Sequence, residues 1–552
     1  FMNFSNAVIY QIYPKSFQDS NQDGIGDIPG IISRLDYLAQ LGIDYLWLTP
    51  IYPSPQKDNG YDISNYYEID PVYGTMEDFK TLVFLAGKLG IKIIMDMVFN
   101  HTSTEHAWFQ RALSGDKKYQ DYYIFRPGSN GSEPNNWQSK FGGSAWEFVP
   151  QLGLYYLHLF DKTQADLNWD NPEMRRELYK IIHYWIGLGV KGFRFDVINL
   201  ISKPQSFADD PSGDGHRFYT DGPHIHQYLK EMHQQTFGRY PDILTVGEMS
   251  STSLRHALQY SDPRQGELSM LFHFHHLRTD YKNDQKWELE PLRFMELKEL
   301  FAKWQTAMEN NGSWDSLFWC NHDQPRIVSR FGSDSTLYRE KSAKMLATAI
   351  QLMRGTPYIY QGEEIGMTNA YFTQIAQYRD VESLNFYSLS VQKGMDPYQA
   401  LKVLQARSRD NARTPMQWDA SRFAGFSTVQ PWIETNPNYQ ALNVEASQKN
   451  SNSILRYYQK LIVLRKQSSA ITNGGYRMLC CDHPEVYAYR RYDEHEEIVV
   501  FCNFTAKTAN VDFPMHAGFS FLLSNDIPKP AAPLLELSPY EAIVFYKKRV
   551  AL

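Results

Sequence analysis

In the stretch VKGFRFDVINL (190–200), a run of strand-forming apolar residues carries Arg194 and Asp196 in its middle. Residues two apart on a strand point the same way, so guanidinium and carboxylate project together into whatever that strand lines. Burying a charged pair costs several kcal/mol before any attraction is counted, so the pair is either a structural ion pair or part of a site. Three other apolar runs end in the same chemistry. IKIIMDMVFNH leads into Asp96, Asn100 and His101, ILTVGE ends in Glu248, and SLFWCNHD ends in Asn321, His322 and Asp323. No Ser-His-Asp order or nucleophile elbow accompanies them, and the His and Cys spacings do not suggest zinc. A carboxylate-rich pocket suits glycoside hydrolysis, in which one carboxylic acid protonates the leaving oxygen while a second attacks or activates water. Arg194 beside Asp196 favours an ionised carboxylate, and Glu248 would need a raised pKa to act as the acid.

Such groups converge only if the elements beneath them are parallel and end at one face. Eight β-rich runs (7–13, 43–49, 91–99, 191–198, 243–248, 270–274, 316–321, 356–362) alternate with helical patterns such as GIISRLDYLAQLG and MEDFKTLVFLAGKLG. This points to an α/β fold, a (β/α)8 TIM barrel, with its site at the C-terminal ends of the strands. A doubly wound sheet is the alternative, but no Gly-rich phosphate loop follows the first strand. We expect the barrel in 1–100 and 169–475, a subdomain inserted after strand three in 101–168, and an irregular stretch over about 373–455 following strand eight. Short strand patterns (YRMLCC, VYAYRRY, EIVVFCNF, AIVFYKK) suggest a C-terminal antiparallel β-sandwich domain over 476–552.

The 552-residue chain is too long for one core. Its net charge of −7 argues against nucleic acid or an anionic membrane as main partner. No window reaches the ~18–20 apolar residues of a membrane span. The opening FMNFSNAVIYQIYPK has neither a basic region nor a long apolar one, and only four Cys occur, so we expect a cytoplasmic protein without a disulfide framework, acting as a monomer.

DMVFNH (96–101), GFRFD (192–196), VGE (246–248) and NHD (321–323), in this order and spacing, resemble the four signature regions of the α-amylase superfamily of glycoside hydrolases. The resemblance runs essentially end to end. It implies a retaining double displacement with Asp196 as nucleophile, Glu248 as general acid/base and Asp323 as a fixed carboxylate that stabilises the transition state. It places His101, Arg194 and His322 around a glucose in the −1 subsite. From DNGYD (58–62) it takes Tyr61 as a stacking platform and Asp62 as a hydroxyl ligand. It brings Arg409 of SRDNARTPMQW back beside Asp62 to make the site exo-acting, with Phe141 on the same wall.

Val197-Ile198-Asn199 after the nucleophile resembles the oligo-1,6-glucosidase, dextran glucosidase and phosphotrehalase group. QADLNWD, DGHRFYTDGPHIHQYLKEM, VGEMSSTS, FHHLRTDY and FWCNHDQPR are similar to the phosphotrehalases. That likeness implies a small phosphorylated disaccharide, trehalose 6-phosphate, as substrate. Its phosphate dianion needs cations beside the pocket mouth. HFHHLRTDYKNDQKW supplies them, with His276, Lys282 and Lys286 as candidates, unless it is a solvated charged loop. The other reading is an oligo-1,6-glucosidase with the same carboxylates and neutral groups at +1. A sucrose isomerase is disfavoured, because LRTDYKNDQKW lacks the Arg-Leu-Asp-Arg-Asp loop of those enzymes. So is an inactive transporter ectodomain, which would have broken motifs and a membrane segment.

In DSNQDGIGD, Asp19, Asn21, Asp23, the Ile25 carbonyl and Asp27 follow the alternate-residue spacing of a Ca²⁺ loop, with Gly24 at the sixth position. Gly30 in place of the bidentate Glu excludes an EF-hand. An Asx-rich turn without metal is the other reading, and related glucosidases hold a structural Ca²⁺ here.

Overall fold

The computed structural model describes residues 4–550, so the first three residues of the opening FMNFSNAVIYQIYPK lie outside the described residues. Eight parallel strands form the central layer: β1 (Ile9–Ile12), β2 (Tyr45–Leu48), β3 (Lys92–Met97), β4 (Gly192–Phe195), β5 (Leu244–Glu248), β6 (Met270–Phe272), β7 (Ser316–Leu317) and β8 (Thr356–Tyr360). Hydrogen-bonded neighbours run β6-β5-β4-β3-β2-β1-β8-β7. A parallel bridge between Leu271 and Asp315 joins the two ends and closes the barrel. Each strand lies inside the run expected for it, trimmed at one or both ends.

The register explains why charge stands inside this barrel. Asp96 on β3 is the cross-strand partner of Arg194 on β4, and Val246 on β5 is Arg194's partner on the other side. Phe193 and Phe195, which alternate with Arg194, are fully buried. The helices between strands carry their own start signals. Thr75 and Asp78 form a capping box at Met76–Lys88, and Asn171 caps Pro172–Gly187, where Pro172 sits in the first turn and loses no helical bond.

Between β3 and β4 the chain leaves the barrel. His101–Ser103 pairs antiparallel with Gln164–Asp166, and a three-stranded sheet is built from Phe125–Arg126, Leu154–Leu157 and Trp146–Val149. The Lys203 ammonium ties this excursion down, 2.9 Å from Asp166 and 2.6 Å from the Asn100 amide oxygen. The stretch after β8 is only partly irregular, against the expectation from its composition. Val381–Gln392 and Pro397–Arg407 are helices, each capped by an Asp and each with its apolar residues spread around the axis rather than along one face, so little apolar period betrays them.

The C-terminal part is an antiparallel sheet in the order Gly475–Leu479, Val486–Tyr492, Glu496–Asn503, Ala542–Lys548, Ser520–Ser524, faced by the pair Ala509–Asp512 and Leu534–Leu537. Val499, Phe501, Val511, Leu535 and Phe545 fill the space between the two sheets. Its other face rests on the barrel helix Arg339–Gln351 and the turn after it, where Tyr489 donates to the Ala349 carbonyl and Arg491 to that of Leu352. Among the described residues all four cysteines are free, and no helix is long and apolar enough to cross a membrane.

Candidate active site

Arg194 is the hub. One Nη lies 2.7 Å from Asp196 and 3.1 Å from Asp96, and the other meets Glu248. Asp96, fully buried, is further held by Trp47 Nε1 at 3.1 Å and the Tyr61 hydroxyl at 2.8 Å. Just past Asp196 the backbone turns at Val197, whose φ of 37° is a left-handed conformation that a β-branched residue avoids. That turn ends the strand and leaves the Asp196 carboxylate at the mouth. Burial pushes Asp196 up to about 6, Asp96 and Asp323 adding to it against the pull of Arg194. The nucleophile candidate therefore stays ionised at neutral pH.

His322 stacks on Tyr61 with ring centroids 5.0 Å apart and planes 4° from parallel. Its Nδ1 is fixed by the Gln11 amide at 2.8 Å, and burial holds the ring neutral, well below the usual histidine range. His101, also kept neutral by burial, sits 3.1 Å from the Asn100 amide and 3.3 Å from that of Gln164. Asp323 faces two guanidiniums, Arg413 at 2.9 Å and Arg409 at 3.4 Å. Burial opposes it, but these two arginines hold Asp323 ionised, well below the usual carboxylate range.

The residue that meets Arg409 is not the expected one. Asp62 turns away from the mouth, its oxygens accepting from the Ser54 hydroxyl and the backbone N–H groups of Lys57 and Asp58. It holds the shape of that turn and leaves no oxygen for a sugar. Asp58, four residues earlier in the same DNGYD string, takes its place with an oxygen 2.9 Å from Arg409. Burial pushes Asp58 up to about 7 against Arg409 and Arg413. Arg409 also grips Asp380 and lies 4.9 Å over the Phe141 ring, so Asp58, Arg409 and Phe141 form one wall. Asp380 and Arg413 went unread in the sequence. Asp380 doubles as the cap of Val381–Gln392 and looks like nothing more, whereas Arg413, one helical turn beyond Arg409, carried a spacing signal.

This geometry has close counterparts. The model of the alpha amylase catalytic domain matches residues 11–474. The chain belongs to the α-amylase family of glycoside hydrolases. It is 53% identical, over 98% of both chains, to a trehalose-6-phosphate hydrolase of Bacillus subtilis. It is 49% identical, again over 98% of both, to an oligo-1,6-glucosidase of Parageobacillus thermoglucosidasius. The crystal structure of a trehalose-6-phosphate hydrolase from Bacillus licheniformis superposes with a TM-score of 0.94 at 51% identity, covering 98% of this chain and 99% of that one.

In this α-amylase-family chain the basic segment after β6 is only partly free to meet a ligand. His276 is buried among Phe301, Phe318 and Trp319, bonds the Phe318 carbonyl at 2.7 Å, and is held neutral by burial. It belongs to the core and is not placed to meet an anion, contrary to the expectation from the basic run. Lys286 stands over the Trp287 ring and pairs with Glu382, itself 3.8 Å from Arg409, which brings it to the rim. Lys282 is exposed. Arg278 bonds the Ser251 hydroxyl at 2.6 Å, on the loop that follows Glu248.

The loop 19–27 lies apart from this mouth. The end of the Asn21 amide is 3.0 Å from an Asp19 oxygen and 2.9 Å from an Asp23 oxygen. With its NH2 inward, Asn21 satisfies both carboxylates; with its oxygen inward, the three oxygens form a cradle for a hard cation. Both Asp27 oxygens are engaged by backbone N–H groups of Ser20 and Gly30, capping the next helix. Among the described residues no three His, Cys, Asp or Glu side chains group as metal donors, so any fit rests on the amide and carbonyl oxygens as well.

Proposed function

We propose that the chain hydrolyses trehalose 6-phosphate to glucose and glucose 6-phosphate by retaining double displacement. The observation that carries this reading is one guanidinium fork shared by Asp196 and Glu248. Two carboxyl groups spanned by a single fork suit the ~5 Å separation of retaining enzymes better than the wider gap that leaves room for water in inverting ones. Asp196 attacks the anomeric carbon while Glu248 gives its proton to the departing glycosidic oxygen. A glucosyl ester on Asp196 results, and glucose 6-phosphate leaves. Glu248, now a carboxylate, takes a proton from water as that water attacks the same carbon, and glucose departs with Asp196 restored. Asp323, held ionised by its arginines, accepts from sugar hydroxyls and offsets the positive charge that builds up on the ring. Tyr61 stacks on the sugar face, with His101 and His322 beside it. The Asp58–Arg409 wall stops the pocket after one glucose.

The +1 phosphate would meet Lys286, with Lys282 and Arg278 nearby. A structural Ca²⁺ would be held by Asp19, Asn21, Asp23 and the Ile25 carbonyl, with Asp27 shaping the loop. It would brace the turn and supply no chemistry.

The decisive comparison is kcat/KM for trehalose 6-phosphate, trehalose and isomaltose at one pH and salt. A preference of about 100-fold for the phosphorylated sugar, about 2.7 kcal/mol of transition-state binding, is expected. Preference for isomaltose would instead establish the second reading, an oligo-1,6-glucosidase, which the relative of that name at 49% identity favours.

A further inference from the structure

We infer that Asp221 is a positioning residue that locks the loop behind the nucleophile to the loop behind the acid. The inference rests on the reading of Asp196 and Glu248 given above. Asp221 comes from the excursion between β4 and β5, in a left-handed conformation at φ 50°. Its backbone N–H donates to the Asn199 carbonyl at 3.0 Å, and its carboxylate accepts from the Asn199 amide at 3.2 Å. Asn199 stands three residues after Asp196, within the short turn Ile198–Leu200. The same carboxylate accepts from the Thr252 hydroxyl at 2.9 Å, the Ser253 N–H at 3.2 Å and the Tyr260 hydroxyl at 2.6 Å. Thr252 and Ser253 belong to the loop that starts at Glu248. Asn199 reaches that loop directly as well, donating to the Ser250 carbonyl at 2.9 Å.

No ion pair includes Asp221 among the described residues, so these donors are what satisfies its charge. Every group facing it donates, and two are fixed N–H donors that cannot reverse. The neighbouring Gly222 presses against the nucleophile loop so closely that a Cβ there would fall 1.8 Å from the Ser202 carbonyl. The latch is thus clamped on one side and hydrogen-bonded on the other. The latch takes the Ser250 carbonyl, the Thr252 hydroxyl and the Ser253 N–H from the loop behind Glu248 but only Asn199 from the loop behind Asp196, so a slack latch should misplace the acid more than the nucleophile.

A leaving group that needs no proton separates this role from a merely structural one. In Asp221→Asn, kcat/KM for trehalose 6-phosphate should fall about 50-fold, within the range that general acid catalysis contributes, while p-nitrophenyl α-glucoside changes by less than about threefold. Thr252→Val, which removes one donor and keeps the shape, should show the same pattern more weakly, and it carries the test if Asp221→Asn fails to fold. Equal losses on both substrates, or no loss on either, overturn the latch. Glu248→Gln calibrates the pattern. If it spares the aryl glucoside and the Asp221 and Thr252 variants do not, the latch fails while the acid assignment stands. If Glu248→Gln loses both substrates equally, the assignment of the acid fails and takes the latch with it.

Discussion

The −1 pocket and the rim after β6 are built from the same residue types and are satisfied to opposite degrees. In the pocket every charge has an assigned partner: Arg194 holds three carboxylates, Arg409 holds Asp58 and Asp380, and Asp323 has two arginines. On the rim Lys282 is exposed, and Lys286 has one carboxylate and a ring face. A buried charge left without its partner costs several kcal/mol, so pocket groups can hold only one arrangement. Rim groups can exchange a weak partner for a ligand. On the proposed reading, chemistry is fixed in the first region and choice of substrate is exercised in the second.

The sharpest way to break this contrast is Asp196→Asn. It should cut kcat/KM by about 10⁴-fold or more on any α-glucoside, with binding retained by calorimetry. An active variant would remove the nucleophile and the proposed mechanism with it. Next in size is Asp58→Asn against Asp62→Asn. Losing Asp58 frees Arg409 from one partner and should lower kcat/KM by about 100-fold, a few kcal/mol of transition-state binding. Asp62→Asn should act on melting temperature and loop order, because its oxygens cap a turn. If Asp62→Asn were the worse of the two for catalysis at equal stability, the wall is misassigned.

Lys286→Ala tests the rim. It should cost about tenfold in kcat/KM for trehalose 6-phosphate, or about 1.4 kcal/mol, and leave isomaltose within about twofold. His276→Phe should lower stability without any selective loss on the phosphorylated sugar, since that ring is already in the core.

The same contrast governed what could be read beforehand. Asp96, Arg194, Asp196 and Glu248 sit in or next to strands, where two-residue periodicity dictates that they face inward, so type and order alone disclosed them, whereas Asp323 stands in a turn well past β7 and was legible only through the NHD string. Arg409 was legible as a cation but not its partner: Asp58 and Asp62 lie in one loop string, and only the turn decides which of them points to the mouth. His276 and Lys286 share one basic run, yet a short helical turn buries the first ring among aromatics and leaves the lysine outside. The short strands Ala509–Asp512, Ser520–Ser524 and Leu534–Leu537 carry too few residues for a period to register.

The smallest effect separates the two regions by pH. Asp196 works as an anion and its pKa is raised to about 6, so activity is present above that value and is lost as pH falls through it. On p-nitrophenyl α-glucoside, which has no charge to offer the rim, kcat/KM should begin to fall near pH 7, where Asp58 takes a proton, and fall further through pH 6 as Asp196 does. A phosphate monoester also gains its second proton near pH ~6. Trehalose 6-phosphate therefore loses rim attraction over the same interval in which the pocket loses its nucleophile, and its profile should fall more steeply. In Lys286→Ala the two profiles should become nearly parallel, because the pocket term alone remains. Parallel profiles already in the unsubstituted protein would mean that Lys286 does not discriminate between mono- and dianion, and the phosphate would have to be sought nearer Arg278 and the loop behind Glu248.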